Sequence, residues 1–98
     1  MIKQILFFKF KKNIQESDIQ ILSQEYKSLI GKTPLQSVEF GKNTSTEGFD
    51  KGFIYAAIAS FPNKESVDTF LQHPDHVSFS NKILDPMIED FILIEIEV

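Results

Sequence analysis

Apolar and polar residues alternate along three segments of the chain, which is the pattern of β-strands. The three segments are Ile2–Lys11, Phe53–Phe61 and Phe91–Val98, and a further strand is expected near Leu35–Lys42. At the centre of the first, third and last strands the side chains are apolar on both faces rather than on one. A sheet built from them is therefore predicted to be apolar on both of its surfaces.

Between the strands, apolar residues recur at helical spacing. A first helix is expected to open at the capping-box pattern Ser17–Gln20 and to close at Gly31. Asn63 is expected to cap a second helix that ends by Gln72. Pro74 fits the first position of a third helix, because that position needs no backbone donor. The side chains of the first helix expected to face the sheet are Ile19, Leu22, Tyr26, Leu29 and Ile30.

The order of these elements predicts the fold. All of residues 1–98 form one domain in the order βαββαβ, which is typical of the ferredoxin-like α+β fold. That fold is a four-stranded antiparallel sheet with its helices on one face, so the other face is bare. An apolar surface of that extent is unusual on a monomer. We therefore predict a homodimer, since closed two-fold dimers are the commonest oligomers.

Composition narrows the classes of function. The net charge of −4 and the lack of any Arg argue against a nucleic-acid partner. The absence of Cys excludes disulfides and a thiolate nucleophile. No apolar run reaches the ~20 residues of a membrane span, and no leader-like segment opens the chain. We expect a cytoplasmic protein that does not bind a membrane.

Both histidines of the chain lie in one turn, His73-Pro74-Asp75-His76. His76 is suited to act as a general base, because an unperturbed imidazole titrates at about 6.5. The alternative is that its ring bonds a neighbouring group and fixes the turn. His73 is expected to make local hydrogen bonds as a helix cap. The turn offers too few ligands for a metal ion, since a stable site needs about three or four, and no cofactor is expected.

Tyr55 shares a predicted strand face with two small residues, Ala57 and Ala59. Small side chains beside a Tyr leave space, so one interpretation is a ligand cavity at this face. The other is that side chains of a partner sheet fill the space and make a dry dimer core. The sequence leaves both interpretations open.

Four segments of the chain resemble the stress-responsive A/B barrel family, called Dabb. They are Ile2–Lys11, Ser37–Gly41, Gly52-Phe53 and the turn His73–His76. The resemblance spans essentially the whole chain and implies a homodimeric α+β barrel whose two sheets enclose an apolar cavity. Most members of the family have no assigned activity, some plant members are stress-induced, and a few are polyketide cyclases.

The cyclase members imply roles for particular residues. They place a His, matching His76, beside a Tyr on the preceding helix, and that Tyr position is Phe70 in this chain. Two further family histidines match Gln4 and Tyr55, and the phenol of Tyr55 is the second catalytic candidate beside His76. The residues expected to bind a ligand are Gln4, Leu6, Phe8, Tyr26, Tyr55, Phe70, His73 and His76.

Three functions therefore remain open for the chain. The first is a barrel that holds a small apolar molecule, such as a fatty or aromatic acid, without turning it over. The second is a cofactor-independent enzyme, a cyclase or isomerase that uses His76. The third is a structural or assembly protein without a ligand. We take the first as the working hypothesis, because Phe70 lacks the hydroxyl that the cyclase members carry at that position.

Overall fold

The computed structural model describes all 98 residues and contains one four-stranded antiparallel sheet. Its strand order is β2-β3-β1-β4, so the predicted ferredoxin-like α+β fold is confirmed. None of the helices is both long enough and apolar enough to cross a membrane. The strands are β1 (Ile2–Phe10), β2 (Ser37–Lys42), β3 (Tyr55–Phe61) and β4 (Ile88–Glu97).

Three helices and two short helical turns complete the chain. They are α1 (Glu16–Ser28), α2 (Lys64–Gln72), α3 (Pro74–Phe79), a π-helical turn (Ser80–Leu84) and a 3-10 turn (Asp85–Met87).

Two of the three predicted helix starts agree with the structure, and one does not. The side chain of Asn63 accepts from the Ser66 N–H at 2.9 Å, which confirms the predicted cap of α2. Pro74 is the first residue of α3, as predicted. The prediction of a capping box at Ser17 was wrong, because α1 begins earlier: Gln15 is the cap, and its N–H donates to Asp18 at 2.9 Å.

Strand boundaries differ from the predicted ones by two or three residues. β3 begins at Tyr55 rather than Phe53, because the Phe53 N–H donates to Asp50 within the preceding loop and not to the sheet. β4 begins at Ile88 rather than Phe91, because Ile88 pairs with Phe10 beyond a bulge in the β1–β4 ladder. The second strand begins at Ser37, two residues later than predicted.

One face of the sheet is covered by the helices and forms the core. Ile2, Leu6 and Phe8 of β1 point to this face and are almost completely buried. The predicted stripe of α1 also packs there, except for Ile30, which lies beyond the end of the helix and is exposed. Ala57 and Ala59 belong to this face as well. The space beside these alanines is therefore filled within one protomer, and neither a cavity nor the partner sheet occupies it.

The opposite face of the sheet has no helix over it, and we call it the open face. The strand register brings Phe7 beside Ala56 and Ile92, and Ile5 beside Ile58 and Ile94. This confirms the prediction that the sheet is apolar on both surfaces. The exposed isoleucines of the open face are Ile58, Ile92, Ile94 and Ile96.

The core packing of α1 can be tested with two neighbouring residues. Leu22 is fully buried, whereas Ile21 on the outer side of the same helix is half exposed. We expect Leu22→Ala to lower the free energy of unfolding by ~2–5 kcal/mol, because it leaves a cavity. Ile21→Ala is the matched control and should change it by less than about 1 kcal/mol. Equal effects of the two substitutions in denaturant titrations would contradict this placement of α1.

Candidate functional site

His76 lies in the first turn of α3 and packs against the preceding helix. Its ring centroid is 4.3 Å from that of Phe70, and its Nδ1 is 3.3 Å from the carbonyl oxygen of Leu71. Because a carbonyl oxygen only accepts, Nδ1 must carry the hydrogen of this bond. The other ring nitrogen, Nε2, is then the one able to take up a proton. The hydrogen bond also ties α3 to the end of α2, as the structural interpretation of this residue expects.

The surroundings of His76 favour the neutral imidazole. The ring is half-buried, and its loss of hydration lowers the pKa from the usual 6.5. The hydrogen bond to Leu71 and the carboxylate of Asp85 act in the opposite direction but are weaker. At neutral pH the ring is therefore an uncharged group with one free acceptor nitrogen.

The space beneath His76 is packed with side chains. The Phe70 ring lies 5.0 Å from that of Phe61, and both are almost completely buried. The predicted ligand-binding residues other than the two histidines are all part of this buried layer between the sheet and the helices. They are Gln4, Leu6, Phe8, Tyr26, Tyr55 and Phe70.

Gln4 is the one polar residue among the predicted pocket residues of β1, and its amide is satisfied inside the protomer. Its Nε2 donates to Glu95 at 3.0 Å, and Lys64 donates to the other oxygen of the same carboxylate at 2.6 Å. These two donors, Lys64 foremost, hold the pKa of Glu95 below its usual value. The amide of Gln4 thus ties β1 to β4.

Tyr55 and His76 are not brought together. Tyr55 begins β3, and its hydroxyl donates to Glu16 at 3.2 Å. Phe61 ends the same strand, about 20 Å further along at ~3.3 Å per residue, and it is this end that reaches Phe70 and His76. Burial, together with Glu16, raises the pKa of the Tyr55 phenol. The phenol of Tyr55 is therefore protonated and bonded to Glu16, away from His76.

The remaining two candidates also have local partners. The Nδ1 of His73 accepts from the Asp75 N–H at 3.1 Å, which confirms the expected role of His73 as a cap of α3. The Tyr26 ring packs 5.2 Å from that of Phe79, and burial raises the pKa of its hydroxyl. No group of three or more His, Cys, Asp or Glu side chains is arranged to hold a metal ion.

A cavity of about 750 Å³ lies on the open face, beneath the loop of residues 43–54, and we call it the loop pocket. Aromatic and aliphatic side chains make up most of its walls. The pocket is open to water in a single chain, since Phe49 on its wall is 77% exposed. The apolar residues that line it are Phe7, Phe40, Phe49, Phe53, Ile54, Tyr55, Ala56, Ile58 and Ile92.

Four charged residues line the loop pocket, and they differ in how fully they are paired. Both oxygens of Asp50 are used within the loop, by the side chain of Asn43 at 3.0 Å and by the N–H of Gly52 at 2.9 Å. Lys42 lies 3.8 Å from exposed Glu16, which is a weak ion pair. The other two charged residues, Glu39 and Lys51, make no ion pair.

A close approach to β1 holds the base of the loop in place. Gly52 has a φ of +86°, and a Cβ at this position would lie 2.9 Å from Cε of Lys9. The ammonium group of Lys9 lies 5.0 Å from the centre of the Phe53 ring. Of the predicted ligand-binding residues, Tyr55 alone lines this pocket. The rest of the pocket was not predicted, although the exposed apolar face and a Phe inside a polar loop were signals that pointed to it.

The chain belongs to the stress responsive A/B barrel domain family, called Dabb, whose model matches residues 2–98. It is 29% identical to the stress-response A/B barrel domain-containing protein HS1 of Arabidopsis thaliana, over 85% of this chain and 77% of that protein. It is also 25% identical to olivetolic acid cyclase of Cannabis sativa, over 82% of this chain and 80% of that enzyme.

Solved structures share the fold over nearly the full chain. A crystal structure of an Arabidopsis thaliana protein matches with a TM-score of 0.94 and 25% identity, covering 100% of this chain and 95% of that one. A dimeric ferredoxin-like protein of Thermobifida fusca matches with a TM-score of 0.82 and 17% identity, covering 99% and 90%.

The charge state of His76 can be measured by NMR titration of its ring protons. We expect a pKa below 6.5, because burial disfavours the charged ring. Protonation is then easier in the unfolded chain, so the free energy of unfolding should fall as the pH drops below about 6.5. His76→Asn should lose this part of the pH dependence. A pKa of His76 at or above 6.5 would contradict the assignment of a neutral, half-buried ring.

Proposed function

We propose that the protein is a homodimeric barrel that binds a small apolar molecule carrying an acidic group. The observation that carries this proposal is the loop pocket, whose volume of about 750 Å³ falls among ligand sites of roughly 300–1,000 Å³. Such sites combine mostly apolar walls with a few polar groups that orient the ligand. The loop pocket has this composition, whereas the layer beneath His76 is filled by side chains.

The shape of the walls favours an aliphatic or aromatic body. The lining includes the aromatic residues Phe7 and Phe53 and, on the neighbouring strand, the small residue Ala56. An apolar body buried against these groups gains roughly 25 cal/mol for each Å² removed from water. A fatty acid or an aromatic acid offers such a body.

The charges around the pocket favour an acidic group on the ligand. Lys51 has no ion pair and Lys42 has only a weak one, while Asp50 is already bonded within the loop. The ammonium group of Lys42 lies toward Glu16 of α1, 5.9 Å from the centre of the Tyr55 ring. Lys51 is therefore the lining cation left without a partner, and Glu39 is the lining acid left without one. One relative, olivetolic acid cyclase, also has an organic acid in its name.

The proposal is tested by thermal shift with decanoate and with decanol as its uncharged counterpart. A ligand at a hundredfold excess over its dissociation constant stabilises a protein by about 2.7 kcal/mol, which corresponds to a rise in Tm of roughly 10–20 °C in a domain of this size. We expect Lys51→Gln to weaken decanoate about two- to fivefold, the range of an exposed ion pair, and to leave decanol unchanged. Lys27→Gln, on α1 and away from the pocket, is the control.

A second variant tests the apolar part of the site. Ala56→Phe places a ring inside the loop pocket and should abolish the shift with both probes. Phe70→Tyr, in the layer beneath His76, should leave both shifts intact. The proposal would be overturned if neither decanoate nor 1-naphthoate shifted Tm, or if Ala56→Phe bound them as well as the unchanged protein. A dimer that binds neither acid would instead support an assembly protein.

A cofactor-independent acid–base enzyme, such as a cyclase or isomerase, is the second candidate. The observation that favours it is the hydrogen bond from Nδ1 of His76 to Leu71, which leaves Nε2 free to take up a proton. Two of the proteins similar to this chain have enzyme names, a cyclase and a hydroxynitrile lyase of Passiflora edulis. The measurement is conversion of a candidate substrate of a cyclase or isomerase by the unchanged protein. Conversion that is lost in His76→Asn but kept in His73→Asn would establish this function.

A further inference from the structure

We infer that the loop pocket is completed by the second copy of the chain, so that ligand binding and self-association strengthen each other. The inference rests on the proposed function, because it concerns the same pocket. It assigns that pocket a regulatory property: the concentration of ligand sets the stability of the dimer.

The pocket and the open face share the same side chains. Phe7 of β1 lies directly between Ala56 of β3 and Ile92 of β4, and all three line the pocket. Ile58, two residues beyond Ala56 on the same face, lines it as well. The floor of the pocket is therefore continuous with the apolar surface that a second sheet would cover.

One chain leaves the pocket half open. Ile58 and Ile92 on its floor are 38% and 42% exposed, and Phe49 on its wall is 77% exposed. A bound ligand typically loses about 70–90% of its surface to the protein, which an open trough does not provide. A cover is missing, and it must contact the same floor and wall.

The second copy is the occupant that fits this requirement. A sheet seated on Ile94 and Ile96 lies beside the pocket floor, because Ile94 and Ile92 are neighbours on one face of β4. The loop is held by its own hydrogen bonds through Asp50 and by the contact of Lys9 with Gly52 and Phe53. It therefore presents a formed wall to the partner rather than a segment free to fold over the pocket.

Ligand binding and dimerisation are then coupled by thermodynamic linkage. If the dimer binds a ligand more tightly than the monomer by some factor, each bound ligand tightens the dimer by that same factor. A pocket that gains a cover on dimerisation gains buried ligand surface, so the factor exceeds one. Dilution of the protein should release the ligand, and the ligand should oppose dissociation.

The test uses a matched pair of isoleucine-to-lysine variants. Ile94 lies on the open face but does not line the pocket, whereas Ile21 lies on the outer side of α1. Ile94→Lys should give a monomer in sedimentation, because an unpaired buried charge disfavours the interface. Its affinity for decanoate should fall at least tenfold, although every pocket residue is unchanged. Ile21→Lys should remain dimeric and bind decanoate normally.

A dilution series of the unchanged protein gives an independent measurement that needs no variant. The dimer dissociation constant should fall at least tenfold in saturating decanoate and stay constant in acetate, which lacks the apolar body. This series tests the coupling between ligand binding and dimerisation even if Ile94→Lys does not fold or remains dimeric.

The outcomes separate the two claims. A folded monomeric Ile94→Lys that binds decanoate as tightly as the unchanged dimer would overturn the inference and leave the proposed function standing. A dimer dissociation constant that is unaffected by saturating decanoate would do the same. Absence of decanoate binding to the unchanged protein would overturn the proposed function and, with it, the inference.

Discussion

The sheet has two apolar faces, but the chain has helices for only one of them. β1 runs through the middle of the sheet with Leu6 and Phe8 turned to the helices and Ile5 and Phe7 turned away from them. Burial of apolar surface is the main stabilising contribution to folding, and a domain of about 100 residues has little of it to spare. The second face therefore needs a partner, and the placement of the pocket follows from this need.

On the covered face, the predicted ligand-binding residues are packed against one another. Phe70 and Phe61 occupy the layer beneath His76, and the amide of Gln4 is bonded to Glu95. The ring of His76 has a hydrogen bond at Nδ1 and packs against the ring of Phe70. The amide of Gln4 and the hydroxyl of Tyr55 each have a hydrogen-bond partner within one protomer, Glu95 and Glu16. The loop pocket, of about 750 Å³, lies across the sheet beneath the 43–54 loop.

Local patterns predicted most of the fold, because strand parity and helix caps depend on neighbouring residues. The alternation in Ile2–Lys11 correctly predicted a strand that is apolar on both faces, and Asn63 was correctly identified as a cap. The π-helical turn at Ser80–Leu84 has no such local signal and was not predicted. The predicted strand boundaries differ from the observed ones where a loop or a bulge interrupts the hydrogen-bonded pairing of strands, as at Phe53 and Ile88.

The candidate site was harder to predict, because it depends on distances between elements. Tyr55 and His76 were paired through family resemblance, yet Tyr55 begins β3, whereas His76 of α3 lies near the other end of that strand, where Phe70 packs on Phe61. The loop pocket depends on how Gly52 passes Lys9, a contact that no spacing in the sequence reveals. The family resemblance directed attention to the helix side of the sheet, whereas the exposed residues of the open face pointed to the other side.

Sedimentation of the unchanged protein at micromolar concentration measures whether a second copy covers the open face, and the roles given to that face and to the loop pocket depend on this. We expect a single species of two 11.3 kDa chains. A folded, monodisperse monomer at the same concentration would contradict it.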